Sequence, residues 1–342
     1  MGCPPPVLLA TPRFWYVRRP TPLARLLQPL GWLYGLGVRW HRGISRPVRL
    51  PVPVVSVGNI TLGGTGKTPL VIALARELQG QGWCVAVLLR GYGSSRQAPC
   101  RVGVGHSASD VGDEALELYQ QLPEAQVWVG LDRLASAQDA IAAGATLLLL
   151  DDGLQHWRLA RDCDISVLDR VHGLGNGLVF PAGPLREPVS ELGRADLLVL
   201  TGGGTDFEAP LRWPVAKPLI RLASWIESPP GLADQPLLAF CGIGLPAKFF
   251  AALDHAGLLV VERLGFPDHH PYAQADLERL QHRADVLHAT LVTTVKDWQR
   301  LPWGWQQRVV ALPLELDSAA VAAIAAVVVL QLGIEMEASA DG

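Results

Sequence analysis

No acidic side chain precedes Glu77 in this 342-residue chain. Over the same stretch come Arg13, Arg18, Arg19, Arg25, Arg39, Arg42, Arg46 and Arg49, beside many apolar residues. A basic, apolar leader of this kind favours contact with an anionic surface. Cysteine is also sparse. The five residues Cys3, Cys84, Cys100, Cys163 and Cys241 are scattered, odd in number and form no C-x-x-C pair. That excludes a disulfide framework and a structural zinc site, and it fits a reducing compartment. Long apolar runs are missing as well. Leu26 to Val38 is interrupted by Gln28 and Pro29, and Ala319 to Leu330 is shorter still. A bilayer core needs roughly 20 apolar residues, so neither is expected to span. Arg18-Arg19 is followed by no clean apolar core or cleavage site of a signal peptide. No G-x-G-x-x-G follows a strand, which disfavours a dinucleotide enzyme. Internal repeats and low-complexity segments are absent too.

What is present is a folded α/β pattern, with 49% hydrophobic and 18% charged residues. Leu23, Leu26, Leu27, Leu30, Trp32, Leu33, Tyr34 and Leu36, bounded by Arg25 and Arg39, predict an amphipathic helix lying in a membrane interface. The alternative is a helix docked on the protein's own core. Apolar, β-branched runs at 52–57, 85–89, 127–129, 146–150, 165–168 and 197–200 predict strands. Helical patterns at 69–78, 113–121 and 136–143 alternate with them. Such alternation signals a doubly wound parallel sheet of P-loop NTPase type. The expected division is a leader over 1–46, a P-loop kinase core over 47–205, a Gly/Pro/Trp-rich junction over 206–235 and a smaller α/β lobe over 236–342.

The strongest local motif is Gly63-Gly64-Thr65-Gly66-Lys67-Thr68, between an apolar strand and a helix. Glycines let backbone N–H groups approach phosphate oxygens, and the helix N-terminus adds a favourable dipole. A lysine at position 67 reaches β- and γ-phosphates, and a threonine at 68 reaches Mg²⁺. The strict pattern would need glycine at position 61, where Thr61 stands. Downstream, the strand ending at Leu150 runs into Asp151 and Asp152. Acids at the carboxyl edge of a buried strand lie at the ligand crevice and hold Mg²⁺ directly or through water. ATP and Mg²⁺ are therefore the expected ligands.

Several blocks together are more specific. Val57-Gly58-Asn59 leading into the P-loop, Arg90-Gly91-Tyr92-Gly93, Gly112-Asp113-Glu114, Asp151-Asp152-Gly153-Leu154-Gln155-His156 and Pro181-Ala182-Gly183-Pro184-Leu185-Arg186-Glu187 occur in that order. From the leader to about Asp297, the chain resembles the tetraacyldisaccharide 4′-kinase (lipid A 4′-kinase) family. The resemblance implies transfer of the ATP γ-phosphate to the 4′-hydroxyl of a tetraacylated glucosamine disaccharide 1-phosphate, at the cytoplasmic face of the bacterial inner membrane. It implies Asp113 as the catalytic carboxylate and His269 as the histidine paired with it. By the same resemblance Asn59, Arg133, Arg186 and Glu187 belong to the active cleft as candidate substrate contacts. Neither a nucleic acid nor an obligate protein partner is expected. Two other readings remain open. A MinD/ParA-type regulatory ATPase carries a lysine just before the Gly-Gly pair, where this chain has Leu62. A P-loop ligase acting on a soluble substrate has no use for the basic leader.

Overall fold

The structure, a computed structural model, describes residues 12–17, 19–91, 98–203, 216–268 and 270–333. It divides into two compact units, the larger holding Val17–Gly202 and, among the described residues, 316–333, the smaller holding Ala223–Glu315.

In chain order the strands are β1 (Val54–Gly58), β2 (Val85–Leu89), β3 (Cys100–Arg101), β4 (Gln126–Val129), β5 (Leu147–Asp151), β6 (Cys163–Asp169), β7 (Leu197–Gly203), β8 (Leu219–Trp225), β9 (Leu237–Cys241), β10 (Val260–Gly265), β11 (Thr290–Thr294), β12 (Val309–Leu312) and β13 (Glu315–Leu316). Nine of them form one sheet in the order β13-β8-β7-β6-β1-β5-β2-β4-β3. Neighbours from β7 to β4 are parallel, and β3 is antiparallel to β4. The central strands are buried on both faces, which their runs of Val and Leu, broken only by small residues such as Ser56 and Ala86, permit. Val55, Val57, Leu147 and Leu149 pack under Leu70, Leu74, Leu118 and Ile324. The alternate residues Val54, Leu148 and Leu150 pack under Ala137 and Ala140.

From β1 the chain runs through the helix Lys67–Gly80 to β2, passing over β5. From β5 it continues to β6, on the other side of β1. The connections thus reverse direction at β1 and β5, whose carboxyl ends form a switch-point crevice. Register aligns Val57 of β1 with Asp151 of β5.

One boundary needs correction. The helix Ser318–Gln331, expected in the smaller lobe, belongs to the larger unit and packs on Lys67–Gly80. It is apolar all round, so its sequence announces burial without saying in which core. The P-loop helix also starts at Lys67 rather than Pro69. Of the expected junction, residues 206–215 lie outside the described residues, and β8 occupies part of the rest.

In the leader, the long helix Pro22–Ile44 is capped by Thr21 and continuous through Pro29. Ala24, Gly31 and Gly35 are buried, while Leu26, Trp32, Leu33, Leu36 and Trp40 are exposed. Among the described residues no helix is long and apolar enough to cross a membrane.

The smaller unit is a four-stranded parallel sheet ordered β10-β9-β11-β12. The helices Pro246–His255 and Gln274–Leu287 contribute Phe249, Leu253, Leu277 and Leu280 to its cores.

Candidate active site

The site grows from the exit of β1. Asn59 is fully buried, and its side-chain oxygen accepts from Lys67 Nζ at 3.1 Å. Its amide donates to Thr61 Oγ1 at 3.2 Å. Thr61 in turn bridges antiparallel to Leu185, and Leu62 N–H donates to the Pro184 carbonyl at 2.7 Å. That strand-like pairing is why threonine serves where a strict P-loop has glycine. Gly66 has φ +84°, so the last turn before Lys67 needs glycine. Thr201, at the end of β7, donates to the Thr65 carbonyl at 2.7 Å and ties the loop to the sheet. Gly63, Gly64, Thr65, Gly66, Lys67 and Thr68 thus lead directly into the amino terminus of a 14-residue helix, the arrangement that favours phosphate.

Asp151 and Asp152 face this loop in different ways. Asp151 is buried, receives Thr68 Oγ1 at 3.4 Å and leaves Oδ1 without a hydrogen-bond partner. Burial, then the charge of Glu114, push its carboxyl up to about 7 despite the opposing pull of Lys67. Asp152 turns through a left-handed conformation, φ +52°, which aspartate tolerates better than most residues. Its carboxylate lies 3.7 Å from Lys67 Nζ and 2.7 Å from Arg186 Nη1. Burial alone would raise its pKa, but Lys67 and Arg186 more than offset this and hold it below the usual range.

Arg133 is buried at the start of the helix Arg133–Ala142 and donates to the Asp151 and Asp152 carbonyls at 2.7 and 3.1 Å. It orients the end of β5 from within. Glu187 is 1% exposed and also faces inward. It accepts from Gln155 at 2.6 Å and pairs with Arg194 at 2.7 Å. Burial and then Arg133 push His156 down to about 4, which keeps that ring neutral.

Asp113 opens the helix Asp113–Gln121, directly before the Glu114 whose charge Asp151 senses. His269 lies outside the described residues. Gln155, Arg194, Thr201 and Glu114 were not singled out by the sequence reading. Only Gln155 and Glu114 had a signal, since both sit inside quoted motif blocks. Among the described residues no group of three or more His, Cys, Asp and Glu could hold a metal. A protein cage is not what Mg²⁺ needs, because it keeps waters and phosphate oxygens in its shell and takes one or two carboxylates. The partnerless Asp151 Oδ1 beside Thr68 suits that demand.

A family model for tetraacyldisaccharide-1-P 4'-kinase matches residues 23–330. The chain is 45% identical to the tetraacyldisaccharide 4'-kinase of Parvibaculum lavamentivorans over 301 residues, which cover 85% of this chain and 86% of that one. Identity to the tetraacyldisaccharide 4'-kinase of Paramagnetospirillum magneticum is 41%, covering 90% and 94% of the two chains. A solved structure of LpxK from Aquifex aeolicus in complex with ATP is similar with a TM-score of 0.73 and 29% identity, over 90% of this chain and 99% of that chain. With a family match over most of its length and a phosphate-binding loop of the right architecture, the chain belongs to the tetraacyldisaccharide 4'-kinase family.

Proposed function

We propose that this protein transfers the γ-phosphate of ATP to the 4′-hydroxyl of a tetraacylated glucosamine disaccharide 1-phosphate, at the cytoplasmic face of a bacterial inner membrane. The observation that supports this most is the joint arrangement of Lys67, Thr68 and Asp151 at the β1–β5 switch point. Gly63 to Gly66 offer backbone N–H groups to the triphosphate, and Lys67 holds its β- and γ-oxygens. Thr68 and Asp151 are the residues suited to hold Mg²⁺, with Asp152 behind them, committed to Lys67 and Arg186. When bound, the ion neutralises charge on the transferring phosphate.

Asp113 is the proposed base for the sugar hydroxyl, with His269 as the residue that tunes it. Asn59 and Arg186 set the position of Lys67 and Asp152. Arg133 and Glu187 support the same groups from inside. The exposed leucines and tryptophans of Pro22–Ile44, with the arginines around them, suit a helix lying on an anionic bilayer. Each arginine near such a surface is worth about 1 kcal/mol.

The test incubates the purified full chain with labelled ATP and vesicles of anionic lipid carrying the disaccharide acceptor. Label is expected on the distal sugar, and Lys67→Ala abolishes it. Vesicle binding weakens at high salt. ATP hydrolysis with no labelled lipid, or efficient phosphorylation of a soluble acceptor, sinks this reading.

A further inference from the structure

The leader helix touches more than its own surroundings. Gly31 is buried against residues 179–182, where an added Cβ would lie 2.8 Å from the Val179 carbonyl oxygen. Tyr34 meets Phe180 edge to face at 5.6 Å. Val179 and Thr61 both bridge to Leu185, so the segment under the helix is stitched to the P-loop entrance.

A second link runs from the helix's last turn. Arg42 Nη1 lies 2.7 Å from Glu191 Oε2, and its guanidinium stands 5.2 Å from the centre of the Trp157 ring. Arg194 shares that same Glu191 oxygen at 3.0 Å and stacks on Trp157 at 4.5 Å. Arg194 also holds buried Glu187, which fixes Gln155, and Gln155 donates to the Asn59 carbonyl at 3.1 Å. Asn59 is the residue that receives Lys67.

We propose that Arg42 is a positioning residue for the phosphate site, acting through Glu191, Arg194, Glu187 and Gln155, so that the seating of the leader helix sets the geometry of Asn59 and Lys67. The argument concerns one shared oxygen. With Arg42 in place, Glu191 divides its charge between two guanidiniums, and Arg194 stays bound to Glu187. Without Arg42, Glu191 is no longer held in place and Arg194 loses the fixed carboxylate that orients its guanidinium toward Glu187, which loosens Gln155 and then Asn59; without the Glu191 charge, Arg194 loses that anchor directly. The Arg42–Glu191 pair is partly exposed and modest by itself, and stacking on Trp157 strengthens its hold. The expected effect is therefore about fivefold in kcat rather than a collapse. This inference rests on the reading that Lys67 holds nucleotide phosphates.

The experiment measures kcat, KM for ATP, vesicle co-sedimentation and the thermal midpoint in the full chain, at saturating acceptor in anionic vesicles. Arg42→Ala and Glu191→Gln are each expected to lower kcat about fivefold with an unchanged thermal midpoint, although the two substitutions change charge in opposite directions. Arg42→Lys recovers part of the loss. In a Gln155→Ala background, Arg42→Ala adds little. If Arg42 serves only to attract lipid, Glu191→Gln leaves kcat unchanged or raises it, and the inference is overturned. Losses that multiply in the double variant overturn it as well. Should Arg42→Ala fail to fold, Glu191→Gln and its combination with Gln155→Ala carry the same comparison. A wild-type chain that transfers no phosphate overturns the functional reading and this inference with it, whereas an active wild type with inert variants overturns the inference alone.

Discussion

Each of the two sheets buries an aspartate near the carboxyl end of a central parallel strand, and the two residues live in opposite circumstances. Asp297, just past β11, is fully buried with both oxygens hydrogen-bonded. Its Oδ1 accepts from Tyr272 at 3.0 Å and from Arg300 at 3.1 Å, and its Oδ2 accepts from Thr294 at 2.7 Å. The carboxylate of Asp151, closing β5, accepts a single hydrogen bond among the described residues, at 3.4 Å, and has one oxygen with no hydrogen-bond partner. A buried carboxylate with both oxygens hydrogen-bonded holds a fold together. One left short of partners costs stability, and its persistence calls for a ligand to complete it. The contrast separates structural from chemical use of the same side chain.

Swapping the two substitutions puts that contrast at risk. Asp297→Ala strands Arg300, only 9% exposed, without its carboxylate. Breaking a buried pair in this way costs about 3–5 kcal/mol. Calorimetry should show the smaller unit unfolding early, with turnover per folded molecule changed far less than stability. Asp151→Asn is expected to do the reverse. Turnover falls roughly 10²–10³-fold, the scale of losing one fixed electrostatic contact in a reaction site, while the thermal midpoint at pH 8 holds or rises. If Asp151→Asn destabilises the protein as Asp297→Ala does, the contrast fails.

A smaller effect follows from pH. Asp151 titrates near 3.8 when unfolded and at about 7 when folded. The folded state therefore favours its protonated form. Its contribution is fully present below the lower value and is lost as pH rises from about 4 to about 7. At about 1.4 kcal/mol per pKa unit the loss is at most about 4 kcal/mol. Without Mg²⁺, the wild-type midpoint should fall relative to Asp151→Asn between pH 5 and pH 8, and millimolar Mg²⁺ with nucleotide should narrow the gap. Parallel pH curves for the two proteins would falsify the assignment.

Much of this site is legible in the sequence because its parts are local. Lys67 and Thr68 follow their glycines directly, and Asp151 and Asp152 end an unmistakable buried run. Distant partners are not legible. Thr201 reaches Thr65 across 136 positions, and Arg42 reaches Glu191 across 149. No periodicity announces such contacts. The short edge strands β3 and β13, two residues each, carry too little pattern to be seen. Ser318–Gln331 shows the same limit at the level of domains, since a uniformly apolar helix fits either core. Glu187 teaches a related point: a motif acid looks like a substrate contact until its partners, Arg194 and Gln155, are brought in by the fold.

The gentlest probe of Asp297 is Tyr272→Phe, which removes one donor and keeps the ring. Burial, and then the charge of Asp297, push the Tyr272 hydroxyl well above its ordinary value, so it stays protonated and donating at any working pH. Arg300 still occupies the same Asp297 oxygen after the substitution. The cost should be about 1 kcal/mol, that of a single hydrogen bond with its partner otherwise satisfied. Because the Tyr272 hydroxyl keeps its proton across this range, that cost should be the same at pH 5 and pH 8, in contrast to the pH-dependent gap at Asp151. Denaturant midpoints with an unchanged slope measure it. A cost that grows several-fold across that pH range would overturn the contrast, and the two aspartates would then differ in degree rather than in kind.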